Sequence, residues 1–170
     1  MNHSGLRTTT MLLTFAVIIG ITTCWNSAFA INRQGRLGIG LNQQLVNNLP
    51  AISIKLQKSN TMAFSALLAL DSNEISGGFG AGLKGYRIIF EEPQLNFYLS
   101  LMAALVSQTT AGTKSNGFQA DLTMGSEFHF AGLNSLGFSF EVGASINKID
   151  SLVLQTAGYH FVTASIHFYL

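Results

Sequence analysis

The sequence is poor in cysteine, tryptophan, proline and charged residues. Its 170 residues include one Cys, one Trp and two Pro, and both Cys24 and Trp25 fall within the first thirty positions. The remainder therefore offers neither a disulfide framework nor a cysteine-based metal site. Charged residues make up 10% of the chain, against roughly 25% in a typical soluble domain. So few charges are insufficient to solvate an ordinary soluble surface.

The charges that are present are balanced. Nine Lys and Arg stand against eight Asp and Glu. A nucleic-acid-binding protein needs a basic excess, so the composition argues against nucleic acid as a partner. No segment after residue 30 is apolar and long enough to form a membrane helix. The composition therefore leaves β-structure as the candidate for any contact with lipid.

The first thirty residues have the pattern of a secretory signal peptide. Arg7 gives a basic start, residues 11–21 are apolar, and Ala28 and Ala30 flank Phe29 as a small-x-small cleavage site. We therefore expect residues 1–30 to be removed and residues 31–170 to form the mature domain. An uncleaved anchor is less favoured, because the apolar run is short. Lipid attachment at Cys24 is also less favoured, because residues 21–23 are a poor match to the Leu-like residue and small neighbours that it requires.

Residues 118–146 carry the clearest pattern in the chain, since odd and even positions differ in chemistry. Alternate positions are apolar, apart from Ser126, on both sides of a turn at residues 131–134: Phe118, Ala120, Leu122, Met124, Ser126, Phe128, Phe130, then Phe138, Phe140, Val142, Ala144, Ile146. The intervening positions are mostly polar, including Asp121, Glu127, His129 and Glu141. Side chains alternate between the faces of a strand, so the pattern predicts a hairpin with one apolar and one polar face.

A turn centred near Asn134 would set the register of this hairpin. It would place Phe130 opposite Phe138, Phe128 opposite Phe140, and Glu127 opposite Glu141. Two carboxylates at roughly 5 Å would repel each other by about 3 kcal/mol at an effective dielectric constant near 20. This repulsion has to be relieved, either by a raised pKa in an acid/base pair or by nearby cations.

Eight alternating runs follow residue 30, counting these two strands. The outward apolar positions of the other six runs are Leu37, Ile39, Leu41; Ile52, Ile54, Leu56; Met62, Phe64, Ala66, Leu68, Leu70; Phe79, Ala81, Leu83; Leu95, Phe97, Leu99, Leu101, Ala103, Leu105; and Val162, Ala164, Ile166, Phe168, Leu170. Among all outward positions only Ser126 is polar and none is charged. Beyond Gly85 the alternation breaks, which predicts a bulge and leaves the facing of Tyr86 and Arg87 open.

An even number of strands with a charge-free outer face predicts a closed transmembrane barrel. A sheet that spans a bilayer must close on itself, because an open edge in lipid leaves unpaired backbone groups. Connection lengths predict two unlike rims, with short turns at 58–61, 91–94 and 131–137 and longer loops at 71–77, 107–117 and 148–158. The connection at 46–50 is shorter than this scheme expects. We predict an all-β, eight-stranded antiparallel up-and-down barrel with both termini on the short-turn rim.

Residues 31–170 resemble the small eight-stranded bacterial outer-membrane barrels of the OmpA/OmpX type. The last strand, residues 162–170, resembles the carboxy-terminal assembly signal of that group, although it ends on Leu170 where Phe is usual. Residues 125–143 resemble hairpins of uncharacterised outer-membrane proteins. The resemblance implies a bacterial outer-membrane location, with outer-membrane lipid and the barrel-assembly machinery as partners. It implies no activity, because this scaffold hosts adhesins, enzymes and structural anchors alike.

The inward face carries the candidate interior residues. We expect a lumenal polar network in a plugged barrel: Arg36, Lys55, Lys84, Asp121, Glu127, Glu141, His167. Inward glycines make room for large inward side chains such as Tyr98, Phe161 and Tyr169. An eight-stranded barrel is filled by side chains, so we expect no general pore. Five outward aromatic residues near one rim predict an interfacial girdle: Phe128, Phe130, Phe138, Phe140, Phe168.

Other chemical patterns in the sequence are weak. Ser165 and His167 share a face next to Glu141, which suggests a Ser-His-Glu hydrolase such as a lipid A deacylase. Their order and inward placement do not match that class of enzyme. Histidine spacing predicts no metal site, and residues 80–85 match a dinucleotide fingerprint only by pattern, within a strand.

The sequence therefore predicts a non-enzymatic outer-membrane barrel, without cofactor or metal, that has a structural or surface-interaction role. Its extracellular partner is left open. A lipid-modifying enzyme on the same scaffold and a secreted lipocalin-like carrier of an apolar ligand are the alternatives.

Overall fold

The computed structural model describes residues 34–158 and 162–170. The expected signal peptide, with Ala28 and Ala30, lies outside the described residues, as do His160 and Phe161. The described residues form nine strands: β1 Leu37–Asn42, β2 Ala51–Gln57, β3 Met62–Asp71, β4 Gly78–Glu92, β5 Leu95–Thr110, β6 Thr113–Phe128, β7 Leu136–Lys148, β8 Leu152–Thr156 and β9 Thr163–Tyr169. Among them, no helix has the length and apolarity needed to cross a membrane.

The nine strands close into an eight-stranded antiparallel barrel, as predicted. Each strand from β1 to β7 pairs with the next, and β9 closes the ring between β7 and β1. β8 and β9 share one position in the wall, because β8 pairs with Ala144–Lys148 and β9 pairs with Leu136–Glu141 of the same strand. The last predicted strand, residues 162–170, corresponds to β9, and β8 is an additional short strand before it.

The pairing also gives the stagger of the barrel. A row of paired residues starts at Leu136, passes once around the ring through Phe168 of β9 and Ile39 of β1, and returns to β7 at Ile146. The row has climbed ten residues along β7, so the shear number is ten. With ordinary strand spacings, eight strands and this shear give a tilt of about 40° and a backbone radius of about 8 Å. Such a radius leaves room for side chains only.

Side-chain facing follows the predicted alternation. The apolar positions of every predicted run face outward, and Leu70, Leu83 and Leu101 are 77%, 71% and 65% exposed. The parity of β4 continues through Gly85, so Tyr86 is buried and Arg87 is exposed. The predicted bulge lies further along, between Ile88 and Phe90.

The predicted register of the β6–β7 hairpin is wrong by two residues. Phe128 pairs with Phe138, Ser126 with Phe140, and Gly125 with Glu141, while Glu127 is opposite Ser139. The connection occupies residues 129–135 and its centre lies nearer the amino terminus than Asn134. The carboxylates of Glu127 and Glu141 are therefore not directly opposed.

The prediction of long loops at one rim is wrong at two of its three positions, whereas residues 72–77 do form a loop between β3 and β4. β5 and β6 continue to a two-residue turn at Ala111 and Gly112, where a loop had been expected at 107–117. Both turn residues have positive φ, 51° and 78°, which is the conformation of a type I′ hairpin turn. Likewise β8 lies within the loop expected at 148–158. The two rims differ because the strands have unequal lengths. β4 to β7 have 13 to 16 residues, whereas β1 and β2 have six and seven.

We call the end of the barrel with turns 58–61, 93–94 and 129–135 the lower rim, and the other end the upper rim. The lower rim is even, whereas β5 and β6 extend furthest at the upper rim. The connection between β1 and β2, residues 43–50, belongs to the upper rim but folds inward, since Gln44, Leu45 and Asn47 are buried. We call residues 43–50 the inner segment.

Candidate functional site

The interior of the barrel holds two buried ion pairs, one above the other. Lys84 on β4 donates from Nζ to both carboxylate oxygens of Glu141 on β7, at 2.7 and 2.5 Å. Three hydroxyl groups also donate to Glu141: Tyr98 Oη at 3.0 Å, Thr123 Oγ1 at 2.5 Å and Ser100 Oγ at 3.3 Å. The buried carboxylate therefore has a counter-charge and several donors, which is the condition for keeping a charge away from water.

The second pair lies nearer the lower rim. Lys55 Nζ on β2 is 3.1 Å from Glu127 Oε1 on β6, and Tyr169 Oη donates to the same oxygen at 2.5 Å. His129 Nε2 is 3.7 Å from the other carboxylate oxygen, and its Nδ1 is 2.9 Å from Leu136 O. Glu127 thus has a cation of its own, separate from that of Glu141.

Two tyrosines connect the ion pairs. The rings of Tyr86 and Tyr98 meet edge to face with centroids 5.2 Å apart. Lys55 Nζ lies 4.6 Å from the Tyr86 centroid and Lys84 Nζ lies 5.0 Å from it, distances at which a cation is attracted to the ring face. This arrangement of two separate ion pairs depends on the register of the β6–β7 hairpin. The observed register keeps apart the two carboxylates that the predicted register placed directly opposite each other.

The inner segment closes the upper half of the lumen. Gln44 stands between charges of opposite sign: its Oε1 accepts from Lys84 Nζ and its Nε2 donates to Asp121 Oδ2 at 2.8 Å. Gln119 supports it from β6, accepting from Val46 N at 2.8 Å and donating to Gln44 O at 3.0 Å. Side-chain amides therefore attach the inner segment to the wall.

Apolar packing completes this closure. Leu45 is 1% exposed and belongs to a cluster with inward residues of β3 and β5: Leu67, Ala69, Met102, Ala104, Val106. A Cβ at Gly80 would come within 2.5 Å of Leu45 Cδ1, so glycine is needed there to admit the leucine. Asn47 Nδ2 donates to Phe79 O and Ser107 O at 2.9 and 3.2 Å and holds the end of the segment.

The structure brings six of the seven predicted interior residues into the lumen. Lys55, Lys84, Asp121, Glu127 and Glu141 take part in the contacts above. His167 is also fully buried, and its Nε2 is 2.9 Å from Ser53 Oγ. Arg36 lies apart at the lower rim, where its Nε donates to Leu170 O at 3.2 Å.

The suggested Ser-His-Glu arrangement does not form. The imidazole of His167 contacts Ser53 and not Ser165, and the Glu141 carboxylate is occupied by Lys84 and hydroxyl groups. Ser53 is itself fully buried and shares its hydroxyl with Ser65 at 2.8 Å. Among the described residues, no group of three or more His, Cys, Asp or Glu is placed to hold a metal ion.

The five predicted girdle residues lie on the outer face. Phe128, Phe130, Phe138 and Phe168 are near the lower rim, and Phe140 lies four residues beyond Leu136 along β7. The rings of Phe130 and Phe138 are 5.7 Å apart, and those of Phe128 and Phe140 are 6.2 Å apart, both edge to face. These are diagonal contacts in the observed register, so the aromatic pairs expected from sequence touch without being directly opposed. Phe168 is 54% exposed on β9.

Sequence reasoning missed the inner segment and its partners. Gln44, Asn47 and Gln119 contribute the amides, and only the cluster of Gln and Asn at 42–48 gave a signal for them. Comparison with known proteins found no matching family model, no matching curated protein and no matching solved structure.

Proposed function

We propose that this chain is a bacterial outer-membrane β-barrel with a closed interior, whose role is structural or surface-interacting. The observation that supports the proposal is the inverted polarity of the barrel. Leu83 and Leu122 on the outer face are 71% and 60% exposed, whereas Lys84, Asp121 and Glu127 inside are at most 2% exposed. In water this arrangement would be unfavourable, because the apolar outer surface would be exposed to solvent. In a bilayer the same surface contacts hydrocarbon, which makes the arrangement favourable.

On the side of the barrel formed by β3 to β7, the height of the apolar surface agrees with the thickness of a membrane. Leu136 and Ile146 are ten residues apart on one strand, which corresponds to about 25 Å along the barrel axis at a tilt near 40°. Outer-membrane barrels present an apolar band of about 25 Å with aromatic girdles at its edges. Phe128 and Phe168 lie near the lower edge of this surface, where one girdle belongs, and Phe140 lies about 10 Å above Leu136.

The closed lumen supports a role other than general diffusion. The inner segment fills the upper half, and the ion pairs of Lys84 and Lys55 cross the lower half. The surface available to an extracellular partner is then the upper rim, where the β5–β6 hairpin extends beyond the wall. Insertion would depend on the barrel-assembly machinery, for which β9 resembles the usual signal.

Neither alternative function is favoured by a specific contact. A soluble carrier of an apolar ligand needs its apolar residues inside, and here they face outward. A lipid-modifying enzyme needs an accessible nucleophile beside a base, and the Ser53–His167 contact is completely buried.

Two measurements test the proposal. Fractionation of the expressing bacterium, followed by electrophoresis with and without boiling, should give a heat-modifiable band from the outer membrane. A tryptophan placed outward by Leu83→Trp, in a Trp25→Phe background, should be quenched by brominated lipid, and one placed inward by Met102→Trp should be quenched much less. A periplasmic band without heat shift, or equal quenching at both positions, would refute lipid embedding.

A further inference from the structure

Arg87 is a cation on an otherwise apolar stretch of the outer wall. It lies on β4, exposed, between Met62 of β3 and Leu99 of β5 in the cross-strand row. The ion pairs among the described residues lie inside the barrel, so no carboxylate on the described outer face neutralises Arg87. A guanidinium in this position requires an anion or water as its partner.

A groove begins at Arg87 and is otherwise apolar on its outer walls. Its volume is 260 Å³, and its outer walls are Met62, Phe64, Leu99, Leu101 and Leu122. Gly85 forms the floor, since a Cβ at that position would meet only the Phe64 ring, at 3.9 Å. At this volume the groove is too small for a folded partner but has room for part of one flexible hydrocarbon chain.

The two ends of the groove differ in depth and chemistry. From the tilt and the pairing, Arg87 lies about 5 Å along the axis above Leu136 and Leu122 lies about 17 Å above it. The cation is therefore close to the lower rim, and the apolar part extends toward the middle of the apolar band. An amphiphile with an anionic head and a hydrocarbon tail has the same order of groups.

We propose that Arg87 and the groove over Gly85 bind one anionic phospholipid of the leaflet at the lower rim. The guanidinium holds the phosphate through two parallel hydrogen bonds, and one acyl chain lies against Phe64 and Leu101. This inference rests on the proposed function, because it requires the outer face to lie in a bilayer. Complementary charge at the head and an apolar wall at the tail both favour phospholipid over a soluble anion.

Tryptophan quenching in vesicles tests the site, because Trp25→Phe leaves a background without tryptophan. Met124→Trp provides a reporter, since Met124 is paired with Leu99 and lies beside the groove without lining it. Leu41→Trp on β1 provides a reference at about the same height, on a different side of the barrel. Each is refolded into phosphatidylcholine vesicles that contain a minor fraction of brominated phosphatidylglycerol or of brominated phosphatidylcholine.

We expect the Met124→Trp reporter to reveal an enrichment of phosphatidylglycerol of about fivefold, the effect of one basic residue at a membrane surface. The Leu41→Trp reference should show no preference. Arg87→Gln should abolish the preference at the reporter, and Arg87→Lys should retain part of it, because lysine keeps the charge without the planar fork. Gly85→Leu should reduce quenching at the reporter by filling the groove.

Equal quenching by the two brominated lipids at the reporter, or a preference that survives Arg87→Gln, would overturn the site. Loss of the preference on adding inorganic phosphate would assign Arg87 to a free anion and also overturn it. If the Leu41→Trp reference is quenched normally in these cases, the embedded barrel stands and only the lipid site fails. A reference that no brominated lipid quenches would refute the embedded barrel and the lipid site together.

Discussion

Removal of the Lys84 ammonium group tests whether the buried ion pairs hold the barrel closed. Lys84→Met keeps most of the side-chain length and removes the charge. Glu141 would then keep only hydroxyl donors, from Tyr98, Thr123 and Ser100, and Gln44 would lose the donor to its Oε1. The variant leaves one buried carboxylate without a counter-charge and one buried amide oxygen without a partner.

The size of the effect follows from these lost contacts. Removing one member of a buried ion pair typically costs about 3–5 kcal/mol, because the remaining charge stays buried. We expect a decrease in the free energy of unfolding within this range for Lys84→Met. Combining it with Glu141→Gln should recover about 2 kcal/mol, since the neutral amide still accepts hydrogen bonds from the hydroxyl groups.

Reversible urea unfolding from lipid vesicles measures both quantities. Lys114→Met is the matched control, because Lys114 is exposed on β6 near the upper rim and should change the free energy of unfolding by less than about 0.5 kcal/mol. If Lys84→Met behaves like Lys114→Met, the ion pair contributes nothing to stability. A double variant whose loss equals the sum of the single losses would show that Lys84 and Glu141 are not coupled.

Three further sets of substitutions test membrane depth, packing and turn geometry. Leu122→Arg, in the apolar band, should cost roughly 2–4 kcal/mol on refolding into vesicles, and Phe128→Arg near the lower rim only about 0–1 kcal/mol. Gly80→Ala should lower the free energy of unfolding by about 1–3 kcal/mol through overpacking against Leu45, and Leu45→Ala should remove this penalty. Ala111→Gly should raise the midpoint of urea unfolding, because glycine relieves a left-handed conformation that costs alanine about 1–2 kcal/mol, partly offset by backbone entropy.

Each of these predictions has an outcome that contradicts it. Equal losses for the two arginine variants would place Leu122 and Phe128 at similar depth. A Gly80→Ala penalty that persists beside Leu45→Ala would arise from the strand and not from the inner segment. Unchanged or reduced stability in Ala111→Gly would mean that the turn does not strain Ala111.

Alternation along single strands was sufficient to predict which side chains face outward. The period of two is a local property, so outward residues such as Leu83 and Leu101 can be identified without knowing which strands pair with theirs. The same reasoning stopped at Gly85, because glycine has no side chain and residues 86–89 show no alternation of apolar and polar residues. The structure shows that the parity continues to Arg87, which is the residue on which the proposed lipid site depends.

Register and long-range contacts were beyond this reasoning. The pairing of β6 with β7 depends on the conformation of residues 129–135, and a shift of two residues preserves every facing, so the sequence pattern is equally compatible with both registers. The inner segment has no period of its own. Its burial depends on space left by Gly80 and Ala104 on other strands, together with amides from Gln119, and these positions lie 30 or more residues away in the sequence.

The unequal strand lengths have a practical consequence for engineering. Because the lower rim is even, the height that a strand reaches at the upper rim is set by its length, and β5 and β6 are the longest strands. Anything that approaches along the barrel axis from the upper side meets the turn at Ala111 and Gly112 first. A peptide epitope inserted between these two residues would therefore be displayed further from the barrel than at any other described turn, and without disturbing the packed interior.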